Sequence, residues 1–318
     1  MDASMSSEVV ANATADVAPT YIPTMPYMDR NQQLSASARH QVPPADLVFT
    51  NGHPHIQIKP KSPPLYATDS YGNPAFIHKL ASVDKLGHFR HRMLTWNYDE
   101  RSKAQDIIPF IFLGPGFAAR DAQFIDDNQI SCMVAVRSAQ MVRKKPSLLH
   151  PASMPTSSGR QIAILDIDSP WEFIRNVRPV IKMVVDHMEA SCQGGIINGV
   201  QDISARILVY CENGNERSAV FVAALLMVLY GLESYTAIQL IQSRRFSIGL
   251  NESMKQMLST FETILQAEMQ VGAMGTVGMP LRLKRTMSTM EEEGDESMED
   301  APQTLDRPGT APFMDVSD

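Results

Sequence analysis

ILVYCENGNERSAVFVAALL, residues 207 to 226, reads in succession as a strand, a tight loop and a buried helix. Ile207 to Val209 form a short apolar, β-branched run of the kind that fills a central strand. Ser218 to Leu229 is apolar almost all round, so a helix there must be covered on most sides, and Gly231 stops it. Between strand and helix lie Cys211, five residues and Arg217. A loop wrapped at a helix N-terminus turns successive backbone N–H groups inward, and the helix dipole adds positive potential, which suits a phosphate dianion. Gly214 stands in mid-loop, where the chain needs a left-handed turn. Arg217 offers a planar fork for two phosphate oxygens. The same positive surroundings favour the thiolate of Cys211, the nucleophilic form. Ser218 can donate to the sulfur and ease its departure in a second step. Cys211, Glu212, Asn213, Gly214, Asn215, Glu216 and Arg217 are therefore the candidate phosphate-binding set.

Strands alternate with helices on either side of this stretch, which predicts an α/β layer structure. Upstream, Ile107–Leu113 and Cys132–Val136 read as strands, with Ala118–Ile125 helical between them. Ser138 to Arg160 is polar and contains Pro, and reads as a long surface loop. Ile162–Ile167 is a further buried strand. In Ser169-Pro170-Trp171-Glu172, Ser with Glu three positions on makes a capping box and Pro suits the first helical position. Ile174, Val177, Ile181, Val184 and Met188 then recur at helical spacing, and Gly194 with Gly195 end that helix. Residues 196 to 205 read as a loop. Downstream, helices are expected over Ser234–Arg244 and Asn251–Gln266, the second capped by Asn251.

The 318 residues carry a net charge of −7. From Glu291 to Asp318 there are ten acidic residues and one basic, a net of −9, so the remainder is at −7 − (−9) = +2. The acidity belongs to a tail, and nothing in the balance suggests nucleic-acid binding. Residues 1–91 are rich in Pro, Ser, Ala and Asn without periodic apolar spacing, and read as mostly disordered. The alternative is an extended arm packed on the domain through Ile56, Ile58 or Tyr66. Residues 92–270 form the expected domain and 271–318 a disordered acidic tail. In that tail Ser288, Thr289 and Ser297 each have an acidic residue three places on, which suits acid-directed kinases; a merely solvated tail is the other reading.

Three widely spaced cysteines, Cys132, Cys192 and Cys211, support neither a disulfide framework nor a zinc site, and free thiols fit a reducing compartment. No cofactor or metal is expected. No signal peptide is visible, and Ala219 to Tyr230 is too short to cross a bilayer. A soluble protein of the cytoplasm or nucleus, without a membrane partner, is the expectation. Cys132 and Cys192 read as inert, His187 as a surface residue, and Trp96 and Trp171 as packing residues.

Cys-x5-Arg-Ser between a strand and a helix resembles the signature of the protein tyrosine phosphatase superfamily. IIPFIFLGPGFAARD, from Ile107, resembles the opening strand and helix of dual-specificity phosphatases. IQSRRFSIGLNESMKQMLSTFETI, from Ile241, resembles the helix–loop–helix that closes that domain. The chain looks most like the phosphoserine/threonine/tyrosine-interacting pseudophosphatase group, over about residues 95 to 270. The resemblance implies a cysteine-dependent phosphatase fold, a central and mostly parallel sheet flanked by helices, and phosphorylated proteins as partners. By the same resemblance Cys211 attacks phosphorus to form a cysteinyl-phosphate, Arg217 and the loop amides bind the equatorial oxygens, and Ser218 assists hydrolysis. A loop Asp protonates the leaving oxygen.

Three departures leave three functions open: an active phosphatase, a pseudophosphatase that binds phosphoproteins without turnover, and a pure scaffold in which the loop is vestigial and the long tails carry the interactions. Tyr210 stands where active members have His; it supplies a hydroxyl hydrogen bond or fills core space. Glu212 and Glu216 bring negative charge into the loop, and a unit charge ~8 Å from another costs roughly 0.5–2 kcal/mol. Loop side chains normally point away from the cradle, and Glu216 can alternatively pair with a neighbouring cation. In LDIDSPWEF, Ser169 falls at the position of the general acid, Asp168 lies one residue early, and Asp166 sits within the strand run. Asp168 is the candidate acid; losing that acid costs about 10²–10⁴ in rate.

Overall fold

The structure is a computed structural model describing residues 41–59, 62–84, 90–92, 96–147, 149–150, 160–192 and 202–276. Strands β1 (Leu47–Thr50), β2 (His53–Gln57) and β3 (Arg90–Arg92) form a small antiparallel sheet, and helix α1 (Pro74–Asp84) falls between β2 and β3 in the chain. The main sheet takes β4 (Gln105–Ile108), β5 (Ile111–Pro115), β6 (Cys132–Arg137), β7 (Gln161–Asp166) and β8 (Ile207–Cys211) in the order β4-β5-β8-β6-β7. Only the β4–β5 pair is antiparallel. The helices are α2 (Ala122–Asp127), α3 (Ala139–Lys144), α4 (Pro170–Ser191), α5 (Arg217–Tyr230), α6 (Ser234–Arg244) and α7 (Glu252–Thr276).

The period of two along β8 sorts its side chains to two cores. Ile207 and Val209 face the large cluster built with α4 to α7, whereas Leu208 and Tyr210 face a smaller one with Ala119, Ile125, Met133 and Leu149. Helix α5 is buried at every position from Ser218 to Tyr230, as its all-round apolarity requires. Each fully covered Val, Leu or Phe contributes about 1.5–3 kcal/mol relative to exposure, so this helix anchors the domain. Gly231 caps it in the left-handed region. Helix α4 opens with the expected reciprocal capping box between Ser169 and Glu172, with Pro170 in its first turn. Asn251 Oδ1 accepts from Met254 N at the start of α7, at 2.9 Å.

Several expectations are corrected. Ile107–Leu113 is not one strand but the hairpin β4–β5, because Pro109, which lacks an N–H, sits in its turn. Ala118–Ile125 is broken at Asp121, whose side chain caps α2 after a short 3₁₀ turn at Ala118–Arg120. The 138–160 stretch contains α3, capped by Ser138. Helix α7 continues to Thr276, past the boundary drawn at 270. Trp171 is 73% exposed rather than packed, since it faces outward from the first turn of α4. His187 is half-buried on α4, with Nε2 2.9 Å from Ser131 Oγ, rather than a surface residue.

The largest correction concerns the disorder expected over 1–91. From Val42 to Val83 the described residues fold onto the domain, and the packed-arm reading holds there. Ile56, Ile58, Tyr66, Tyr71, Ile77 and Leu80 are buried. Tyr66 Oη donates to Val228 O at 3.1 Å, and α1 packs on α5. The backbone at Gly72 lies so close to α4 that a Cβ there would fall 2.5 Å from Val185 Cγ1. The alternation of Ile56 and Ile58 is the strand signal that composition obscured. Gly194, Gly195, Ser288, Thr289 and Ser297 lie outside the described residues.

Candidate functional site

Cys211 ends the central strand β8, level with Pro115 at the end of β5. The loop therefore lies outside the carboxyl ends of the parallel strands, where open α/β sheets place their ligands. Residues 212–216 turn back to start α5 at Arg217. Gly214 takes a φ of +74°, and a Cβ there would lie 2.4 Å from the carbonyl carbon of Gly114. Only glycine satisfies both the backbone angle and the close approach.

The thiol of Cys211 is buried and receives two hydrogen bonds. Gly214 N donates to Sγ at 3.2 Å and Ser218 Oγ donates at 3.0 Å. The Sγ itself lies 3.5 Å from Asn213 Oδ1, as donor. Asn213 Oδ1 also accepts from Asn215 N at 3.0 Å, so the loop satisfies part of its own cradle.

Sequence reasoning missed the residue that shapes this loop. Arg245, just past α6, is 0% exposed. Its Nη2 donates to Asn213 O at 3.1 Å and its Nε to Gly214 O at 3.0 Å and Asn215 Oδ1 at 3.1 Å. The remaining donors reach Arg101 O at 2.9 Å, Lys103 O at 2.8 Å, and Gln105 Oε1. Gly249 N donates to Asn215 O at 3.1 Å. Three consecutive carbonyls, of Asn213, Gly214 and Asn215, are thus held on the outer side of the loop. A trans peptide sets its N–H opposite its C=O, which turns the amides of Gly214, Asn215 and Glu216 toward the cradle. Burial pushes the Arg245 guanidinium down to about 10, opposed by the charge of the neighbouring Cys211. Nothing in the doublet Arg244-Arg245 marks the second as the fully buried one; Arg244, 17% exposed, lies against the half-exposed Asp106 at 2.6 Å.

Arg217 is not an open fork. Its Nη1 donates to Glu212 Oε2 at 3.3 Å, and Nη2 lies 3.9 Å from Asp168 Oδ1. The loop carboxylate that finds a cation is Glu212, not Glu216, and its side chain folds toward Arg217 instead of pointing away. Glu216 stands at the N-cap of α5 without a side-chain capping bond.

Asp168 is tied down as well. It accepts from Ser138 Oγ at 2.7 Å and from Gln140 N at 2.5 Å, so it fastens the start of α3. Asp166 is held by Arg137, Nε to Oδ1 at 2.7 Å and Nη2 to Oδ2 at 2.8 Å, across β6 and β7. Ser169 is spent on capping α4. Of the three, only Asp168 borders the cleft of about 150 Å³ that it shares with Glu216, Arg217, Asn251 and Ser253.

Tyr210 settles on the packing reading. It is fully buried in the smaller core, and its hydroxyl donates to Leu149 O at 3.4 Å, not to the loop. Burial pushes its phenol up. Burial likewise pushes the Cys132 thiol up to about 12 and that of Cys192 upward, which keeps both protonated and inert.

Residues 191–264 match the family described as the dual specificity phosphatase catalytic domain. The human serine/threonine/tyrosine-interacting protein is 27% identical over 199 residues, which span 61% of this chain and 78% of that protein. Serine/threonine/tyrosine-interacting protein A of Xenopus laevis is 26% identical over 215 residues, 63% of this chain and 86% of that one. A crystal structure of the human tyrosine phosphatase-like serine/threonine/tyrosine-interacting protein superposes with a TM-score of 0.40 at 23% identity, over 52% of this chain and 99% of that chain.

Proposed function

We propose that this chain, a dual-specificity phosphatase-type protein similar to the serine/threonine/tyrosine-interacting proteins, binds phosphorylated side chains of other proteins at Cys211–Arg217 and turns them over slowly. The observation that supports the reading is the loop itself, with its carbonyls drawn outward by Arg245 and Gly249 while Gly214 N and Ser218 Oγ converge on Cys211 Sγ. On this reading a phosphoryl group entering there must meet the amides, Arg217 and the sulfur together. In the chemical step Sγ bonds to phosphorus as the P–O bond to the side chain breaks, and the departing oxygen takes a proton from Asp168 or from water. Water then cleaves the S–P bond, giving inorganic phosphate and the thiolate, which the Ser218 hydroxyl stabilises.

A second reading, a binding module without turnover, is favoured by Asp168. Ser138 Oγ and Gln140 N occupy its two oxygens, so reaching a leaving group would break the bonds that fasten the start of α3. The test is release of phosphate from an aryl phosphate beside capture of a phosphopeptide. Slow turnover abolished by Cys211→Ser, with capture abolished by Arg217→Ala, supports the first reading. Capture without turnover supports the second. Indifference of both signals to both substitutions overturns the two together.

A further inference from the structure

Two carboxylates, Asp168 at 3.9 Å and Glu212 at 3.3 Å, lie against the guanidinium of Arg217, whose side chain is 26% exposed, and Glu216 lines the cleft that Arg217 and Asp168 border. The other cation at the loop, Arg245, is fully buried and committed to carbonyls and amide oxygens. A phosphate that takes the Arg217 fork must displace Glu212 from it. The displaced carboxylate then loses the one ion-pair partner it has among the described residues.

Glu212 is also poorly satisfied where it lies. Oε2 contacts Arg217 at 3.3 Å, while Oε1 is buried with no hydrogen-bond partner. A buried carboxylate oxygen left unpaired is costly, so the side chain gains by moving to any site that pairs both oxygens. Glu216, beside the same cleft and without a capping bond, is a second carboxylate open to such a partner.

We propose that the ligand of this site is a phosphorylated residue flanked by arginine or lysine in the peptide, the basic neighbours pairing with Glu212 and Glu216 as the phosphate takes Arg217. The inference rests on the phosphate-binding reading above and names its ligand class. A flanking arginine can engage the freed carboxylate through two parallel hydrogen bonds. Flanking acids would instead face Glu212, Glu216 and Asp168, and like charges at such an interface suppress the wrong partner.

The experiment titrates the full chain with three probes at low ionic strength: inorganic phosphate, a phosphotyrosine peptide with flanking arginines, and one of equal length with flanking glutamates. Wild type is expected to bind the basic peptide about tenfold or more tighter than the acidic one, a ratio that shrinks as salt is added. Glu212→Gln is expected to tighten inorganic phosphate and the acidic peptide and to reduce the ratio several-fold, with a smaller reduction in Glu216→Gln. Equal affinity for the two peptides, a preference for the acidic one, or a ratio unmoved by either substitution overturns the proposal. If phosphate and both peptides bind with no discrimination, the phosphate-binding reading stands and only the ligand class falls. If none of the probes binds wild type or Glu212→Gln, both fall.

Discussion

Replacing Arg245 by Lys asks whether the loop is held in shape from its underside. The arginine reaches six acceptors from three nitrogens: the carbonyls of Arg101, Lys103, Asn213 and Gly214, and the side-chain oxygens of Gln105 and Asn215. Lysine keeps the charge but offers three protons from a single point; Asn215 Oδ1 keeps the donor of Ser247 Oγ at 2.9 Å, so of the other five acceptors at least two lose theirs. A buried acceptor left unpaired costs about 1–3 kcal/mol, and second lone pairs or an entering water relieve part of it. At ~1 kcal/mol each the loss is about 2 kcal/mol, a sizeable share of the ~5–15 kcal/mol that holds a domain together. Urea unfolding of Arg245→Lys should show that loss, with Arg244→Lys, whose 17%-exposed side chain pairs with the half-exposed Asp106, costing less. Titration of the folded Arg245→Lys protein with inorganic phosphate should show binding weakened by about tenfold or more, since the Asn213 and Gly214 peptides are then free to rotate. A destabilised protein that binds phosphate as tightly as wild type would refute the reasoning, as would an Arg245→Lys protein of unchanged stability.

Three further outcomes follow from the same geometry. Gly214→Ala should cost about 2 kcal/mol or more and abolish phosphate binding, because its φ is +74° and the new Cβ would lie 2.4 Å from Gly114 C; thermal unfolding and phosphate titration read both effects. Ile77→Ala, in the N-terminal arm, should cost about 2–5 kcal/mol by urea unfolding, as for any fully buried core residue, where a loosely attached arm would show almost nothing. Burial lowers the pKa of His187 below its ordinary 6.5, so the unfolded chain binds more protons over the window just below 6.5. Stability should therefore be lost as pH falls through that window, and His187→Gln should lose less; urea midpoints measured across pH 5–7 check this.

The strand–loop–helix at 207–230 was legible because its three parts obey different local rules, and each rule names its own residues. Apolar crowding gave α5, the Ser169–Glu172 spacing gave the start of α4, and the Ser234–Arg244 helix came out with its observed bounds. The N-terminal arm was not legible from composition, because its strands are four and five residues long and its burial depends on surfaces of α4 and α5 far away in the chain. The hairpin at Pro109 carried a turn signal that a continuous apolar run outweighed. In the site, Cys211, Gly214, Arg217 and Ser218 were read from spacing, whereas the pairing of Glu212 with Arg217 and the fastening of Asp168 to Ser138 and Gln140 are products of tertiary geometry. Arg245 is the extreme case: nothing near it in sequence indicates that six acceptors, all more than 25 positions away, converge on its guanidinium.

All of this turns on whether inward-facing amides at 214–216 accept a phosphoryl group. The direct measurement is the backbone amide spectrum of ¹⁵N-labelled protein during titration with inorganic phosphate. Saturable shifts should centre on Gly214, Asn215, Glu216 and Arg217, and should vanish in Arg217→Ala. Shifts that never saturate, or that centre on other residues while these four stay still, would contradict the account.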